Sequence, residues 1–139
     1  MAKRFFLTAA VGALALVALT GCSGDSTPTF TKDESDTTPV TVTLSAIDME
    51  ETSIAKGAVE VLGDDANALE IFDWYFEQEE VAFEHENGMI TTVGDLAGDQ
   101  SEGWMIYIND EMSDVGAEEL LPADGDVVEL RYVDYATIL

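Results

Sequence analysis

Residues 103–109 read Gly-Trp-Met-Ile-Tyr-Ile-Asn, an apolar and aromatic stretch in a strongly acidic chain. Its composition predicts a β-strand, in which successive side chains point to opposite faces. One face would carry Trp104, Ile106 and Ile108, and the other would carry Met105, Tyr107 and Asn109. One face should be core, and the other, half-apolar with a polar tip, suits a large flat ligand or a partner protein. The sequence leaves open which face is which, and for the Trp and Tyr positions alone it favours core over contact.

Five further segments have the pattern of strands. Residues 40–45 alternate Val or Leu with Thr or Ser, and Val128, Leu130 and Tyr132 share one face of the last segment. The five segments are residues 40–45, 57–63, 81–86, 88–94 and 127–135. With one helix, about six strands predict an α+β domain.

The helix is predicted to begin after Asn67 and to run to about Gln78. Asn67 and Glu70 have the spacing of a capping box, in which each side chain accepts a hydrogen bond from a free backbone N–H. One face collects the apolar residues Ala68, Leu69, Phe72, Tyr75 and Phe76. Trp74 falls on the polar face, where it is either a contact residue or covered by residues 79–87.

The N-terminus has the order of an export signal. Lys3 and Arg4 precede an uncharged run over residues 5–19, which is short for a membrane span. The run ends in Leu-Thr-Gly-Cys, and Cys22 is the only cysteine of the chain. This ending resembles a bacterial lipobox, so residues 1–21 are expected to be a lipoprotein signal peptide and Cys22 the lipidated residue. The lipid would anchor the protein in the cell membrane, on the extracytoplasmic face. The alternatives to a lipidated cysteine are that the apolar segment remains as an uncleaved anchor or that Cys22 is a free thiol.

After Cys22, residues 23–38 are small, polar and acidic, so residues 22–38 are predicted to form a disordered linker. Residues 39–139 then suffice for one small domain. After removal of residues 1–21, three basic and 29 acidic residues remain, a net charge of 3 − 29 = −26. Such a charge argues against nucleic acid as a partner. It fits solubility or life in salt, and it would also permit a cationic partner.

Residue types that carry catalysis are scarce. The chain has one histidine, His85, so a site of several histidines is excluded, and no serine lies in a Gly-x-Ser-x-Gly context. The acidic pairs have no spacing typical of glycosidases or of calcium loops. The sequence therefore predicts a protein that is not an enzyme and has no resident metal.

The order of motifs in the C-terminal half resembles a known family. GWMIYIND at 103–110, followed by DVGAEELLPADGDVVELRY at 114–132, is similar to the C-terminal domain of the transcobalamin and intrinsic factor family. The same module recurs in bacterial surface proteins as a domain of uncharacterised function. The matching positions are Gly103, Trp104, Met105, Tyr107, Asn109, Val115, Gly116, Gly125, Asp126 and Tyr132.

The resemblance implies a β-grasp-like fold that binds a ligand without catalysis. In the transcobalamins this domain closes over one side of the corrin ring. By this resemblance cobalamin or a related large flat ligand is a candidate, and the residues expected to line its site are Trp74, Trp104, Met105, Tyr107 and Tyr132. The alternative is a cell-surface interaction or adhesion module whose acidic face meets a basic partner, such as a transporter's extracellular loops.

Overall fold

The computed structural model describes residues 27–138, so Cys22 and the predicted signal peptide lie outside the described residues. The elements in chain order are β1 (Thr29–Thr31), β2 (Val40–Ile47), β3 (Ser53–Leu62), α1 (Ala68–Glu79), β4 (Phe83–Glu86), β5 (Met89–Val93), β6 (Leu96–Ala97), β7 (Glu102–Ile108), β8 (Glu111–Met112) and β9 (Val127–Asp134), followed by a 3-10 turn (Tyr135–Thr137). The α+β prediction is confirmed. The described part holds nine strands instead of about six, because β1, β6 and β8 have only two or three residues each and are too short to show an alternating pattern.

The strands form two sheets. The large sheet has the order β1-β3-β2-β9-β7-β8, and the small sheet has the order β4-β5-β6. The central strand β9 pairs in parallel with β2 and antiparallel with β7. Helix α1 and the small sheet pack on one face of the large sheet, where Leu44 and Leu130 meet Phe72 and Phe76 in a continuous apolar core.

Helix α1 confirms the capping prediction. The Asn67 side chain accepts a hydrogen bond from Glu70 N at 2.9 Å, and Glu70 Oε1 accepts one from Asn67 N at 3.1 Å. The predicted apolar face is buried, and Ile71 is buried with it. The helix ends at Glu80, whose φ of 59° is left-handed. Within residues 27–138, no helix combines the length and the apolar character that a membrane crossing requires.

The start of the folded region corrects the linker prediction. Residues 29–31, placed in a disordered linker extending to residue 38, form β1 and pair in parallel with residues 60–62 of β3. Lys32 Nζ lies 2.8 Å from Glu70 Oε1, which ties the strand to the start of the helix. Phe30 packs against Trp74, with 5.7 Å between the ring centroids. The prediction of disorder is wrong for β1 because one aromatic residue in a polar stretch finds an apolar partner that is distant in sequence.

Candidate functional site

An open, apolar cavity of about 250 Å³ lies between the small sheet and the edge of the large sheet. It is lined by residues from β5, from β7 and from the loop after β8: Gly88, Met89, Ile90, Trp104, Met105, Ile106, Ser113, Val115, Gly116 and Ala117. Met89 is 70% exposed at its mouth, and Val115 is also exposed. Solvent-exposed apolar side chains around a cavity are typical of a site that contacts a ligand or a partner.

The floor of this cavity is fixed by Trp104. The indole is 7% exposed, and its Nε1 donates a hydrogen bond to Leu96 O at 3.0 Å. Tyr132 packs edge-on against it at 5.2 Å, and its hydroxyl donates to Ala97 O at 2.8 Å. Both aromatic residues therefore fasten β6 of the small sheet to the large sheet, and the Trp104 face of β7 is the core face.

The loop that forms the far wall is pinned to the helix. Leu69 N donates to Ala117 O at 3.1 Å, and Ala68 N donates to Leu120 O at 2.8 Å. These bonds satisfy N–H groups of the first helical turn, which have no partner inside a helix. Ser113 Oγ also donates to Val115 O at 2.8 Å. The wall is thus held in place by the same helix terminus that the capping box stabilises.

Tyr107 lies on the opposite face of the large sheet. The Arg131 guanidinium carbon sits 4.1 Å from the centroid of its ring, which is a cation–π contact. Arg131 also donates to Glu129 Oε1 at 2.6 Å and to Asp110 Oδ1 at 2.9 Å. Met105 pairs with Arg131 in the register of β7 and β9, so its side chain shares the face of Tyr107, although the residue is among those that border the cavity.

Trp74 is part of a separate surface. It lies beside Phe30, Glu70, Asp73 and Glu77, around a depression that shares no residue with the Trp104 cavity. The group that packs on it from outside the helix is Phe30 of β1, rather than the segment 79–87 suggested by the sequence.

The five residues expected to line one site are therefore spread over three places. Trp104 and Met105 line the cavity, and Tyr132 supports Trp104 from behind. Tyr107 is on the other face of the sheet, and Trp74 is on the helix surface. Sequence reasoning missed Met89, Ile90 and Ala117, although Asn87-Gly88, both with positive φ, is the signature of a tight hairpin turn that presents the next residue at its end.

The surroundings of the cavity are acidic. Exposed carboxylates lie at Glu86, Asp99, Asp114 and Glu118, and the lining of this cavity contains no Lys or Arg. Hydrogen bonds from the backbone N–H groups of Ser101 and Glu102 lower the pKa of Asp99 and keep it ionised. Among residues 27–138, no three His, Cys, Asp or Glu side chains are placed to hold a metal ion.

Two solved structures are similar to this chain. A protein of Ruminococcus gnavus ATCC 29149 to which metal binding has been ascribed is 25% identical, with 68% of this chain and 97% of that chain covered and a TM-score of 0.47. Haptocorrin, in complex with Cbi, is 16% identical with a TM-score of 0.60. The match to haptocorrin covers 70% of this chain and 25% of that chain, and it shows a shared fold.

Sequence comparison gives the family. No curated protein matches the chain significantly. The family described as a domain of unknown function, DUF4430, matches residues 65–134, which is half of the chain and runs from the start of α1 to the end of β9. The chain belongs to the DUF4430 family.

Proposed function

We propose that this protein is a lipid-anchored binding domain that captures the edge of a large flat ligand at the Trp104 cavity, with a corrinoid such as cobalamin as the candidate. The observation that carries the proposal is the exposed apolar mouth formed by Met89 and Val115 over a rigid aromatic floor. The thioether of Met89 is flexible and polarisable, so it can adapt to a ring surface.

The size of the cavity favours a ligand that is only partly enclosed. Pockets that bury a whole drug-sized molecule measure about 300–1,000 Å³. A cavity of about 250 Å³ that opens to solvent takes one edge of a larger molecule and leaves the rest outside. Covering a Met or Val side chain completely contributes about 1.5–3 kcal/mol. Met89 and Val115 together would supply about 3–6 kcal/mol at most, before the cost of association. Micromolar affinity, about −8 kcal/mol, therefore requires contacts with the rest of the lining as well, and tighter capture would need a second domain on the other side of the ligand.

Two further points support a corrinoid as the ligand. The chain resembles the transcobalamin family over its Trp-to-Tyr motif, and haptocorrin, in complex with Cbi, has the same fold over 70% of this chain. That motif supplies part of the cavity lining, through Trp104 and Met105 of β7 and Val115 and Gly116 of the following loop.

The proposal also includes an anchor at Cys22 and a role without catalysis. A thioether-linked diacylglycerol at Cys22 would hold the domain at the extracytoplasmic face of the cell membrane, where ligands arrive from outside. Cys22→Ala tests this directly, since the variant should lose incorporation of labelled fatty acid and leave the membrane fraction. Unchanged membrane association of the variant would refute the anchor.

Ligand binding is tested by titrating the full chain with cyanocobalamin. The chain has two tryptophans, so Trp74→Phe leaves Trp104 as the only indole reporter. We expect saturable quenching with a midpoint in the micromolar range, after correction for ligand absorbance. Absence of quenching at tens of micromolar would contradict the proposal.

A variant with a blocked cavity tests whether the ligand binds there. Gly116 lines the cavity, and a Cβ built there meets no atom within 4 Å. Gly116→Leu should therefore fill the mouth without disturbing the fold and abolish quenching. Ala123→Leu introduces the same side chain at an exposed site that is not in the lining and is the control. Equal binding by both variants would remove the cavity from the proposal.

A further inference from the structure

The outer edge of β7 is only partly covered. The short strand β8 pairs with Tyr107 and Ile108, and Ser113 N donates to Ile106 O at 2.9 Å. At the other end of the strand, Asp99 N donates to Glu102 O at 2.7 Å. Trp104 lies between these two bonds.

The backbone of Trp104 points out from this edge. Asn109 N donates to Val127 O at 2.8 Å, which shows that the odd-numbered residues of β7 direct their backbone groups toward β9. Backbone direction alternates along a strand, so the N–H and C=O of residues 102, 104 and 106 point away from β9. The bonds at Glu102 O and Ile106 O agree with this. Trp104 lines the cavity, it has no ladder partner on this side of β7, and no backbone bond from its N–H or C=O to a turn or loop is found within residues 27–138.

The cavity continues along the same edge. A second depression of about 290 Å³ is lined by Gly103, Tyr135, Gly98 and residues of β5, and it shares Met89 and Ile90 with the Trp104 cavity. We call the two together the edge groove. It follows β7 from Gly103 to Ile106, a distance of about 10 Å at 3.3 Å per residue, which is the length of an extended segment of three or four residues.

The charge around the edge groove indicates which kind of segment could bind there. Glu86, Asp99, Asp114 and Glu118 lie exposed along it. The basic residues of the described chain are elsewhere: Lys32 contacts Glu70, Arg131 is on the opposite face of the sheet, and Lys56 is on β3 with two strands between it and β7. The groove therefore presents carboxylates that no basic side chain of its lining neutralises.

From these observations we infer that the edge groove docks an extended, basic segment of a partner protein. One residue of the segment exchanges two hydrogen bonds with the N–H and C=O of Trp104, as in strand addition to a sheet edge. Its aliphatic side chain enters the Trp104 cavity, and flanking Lys or Arg side chains meet the carboxylates. This interaction is independent of a corrinoid ligand, although both would occupy the cavity and compete for it.

The test uses the full chain and a set of fluorescent peptides read by polarisation. The probe is acetyl-Lys-Lys-Val-Lys-Lys-amide. Three matched peptides each remove one feature: a backbone N-methyl on the central valine, a central glycine in place of valine, and four glutamates in place of the lysines. We expect binding of the probe, loss of at least tenfold in affinity for the first two changes, and no binding of the acidic peptide. Raising NaCl from 0.05 to 0.5 M should lower the affinity for the probe by roughly tenfold or more, because interactions between exposed charges are screened beyond about 10 Å at 0.1 M ionic strength.

Three protein variants separate docking from general attraction to an acidic protein. Gly116→Leu should abolish binding of the probe, and Glu118→Gln should weaken it severalfold, while Glu50→Gln, an exposed carboxylate remote from the groove lining, should leave it unchanged. Equal affinity for the N-methylated and unmodified peptides, or full binding to Gly116→Leu, would overturn the inference. If the probe binds with the expected effects of peptide changes, salt and variants, and cyanocobalamin does not displace it, the docking site is retained and the corrinoid is rejected. Displacement of the probe by cyanocobalamin would support both.

Discussion

Two buried tyrosines should respond in opposite directions to the same substitution. Tyr132 is 7% exposed, and its hydroxyl donates to Ala97 O at 2.8 Å across the junction of the two sheets. Tyr75 is 3% exposed on the core face of α1, and its hydroxyl has no hydrogen-bond partner among residues 27–138. Replacing either by Phe removes one oxygen and leaves the ring in place, so the comparison isolates the hydroxyl.

The expected magnitudes follow from these environments. Tyr132→Phe loses one hydrogen bond, worth about 0.5–1.5 kcal/mol in net stability. Ala97 is exposed, so its carbonyl can turn to water and the full penalty of a buried unpaired acceptor does not apply. Tyr75→Phe removes an unpaired hydroxyl whose burial costs about 1–3 kcal/mol. The small void left by the oxygen weakens the packing around the ring and offsets part of that gain, so a stabilisation of about 1 kcal/mol is expected.

Thermal and urea unfolding of the full chain, followed by circular dichroism, measure both changes. For a domain of about 100 residues, 1 kcal/mol corresponds to roughly 4–8 °C in Tm. Tyr132→Phe should melt at a lower temperature than the parent, and Tyr75→Phe should melt at a higher one. A loss of stability in Tyr75→Phe as large as that in Tyr132→Phe would refute the assignment of the two hydroxyls.

Three more predictions concern stability. Asn67→Ala removes the side-chain acceptor of the capping box with Glu70 and should lower the free energy of unfolding by about 1 kcal/mol in urea titrations, and an unchanged midpoint would contradict it. Gly103→Ala places a methyl group against the Tyr135 hydroxyl and should cost about 1–3 kcal/mol, whereas Gly103→Ala combined with Tyr135→Phe should recover part of this loss. Burial raises the pKa of both core tyrosines above the ordinary value of 10.0, so their neutral forms stabilise the fold below pH 10 and that contribution is lost as pH rises through their folded pKa values. Unfolding free energies between about pH 8 and 11 should fall at the alkaline end, and the double Phe variant should fall less.

The parts of the fold that depend on local patterns are predictable from the sequence. The capping box at Asn67, the apolar face of α1 and the alternation of Val128, Leu130 and Tyr132 all follow from residue spacing, and the structure contains each of them. Strand β1 is not predictable in this way because Thr-Phe-Thr carries no period, and its order depends on the contact of Phe30 with Trp74.

The candidate site is only partly predictable for the same reason. Trp104 and Met105 are identified through the motif in which they lie. Met89 and Ala117 come to the cavity through the hairpin β4–β5 and through the loop pinned to α1, and both depend on contacts between distant parts of the chain. The sequence motif assigns Tyr107 to the site, whereas the register of β7 against β9 sets it beneath Arg131 on the other face.

Methionine methyl NMR decides whether the Trp104 cavity is where the ligand binds. The full chain labelled with ¹³C at the methionine methyl groups reports on Met89 at the mouth of the cavity and on Met49, an exposed methionine outside its lining. On titration with cyanocobalamin, we expect a saturable shift of the Met89 signal and none of the Met49 signal. A stationary Met89 signal at saturating ligand, or a shift of Met49 as large as that of Met89, would show that the ligand does not bind at this cavity.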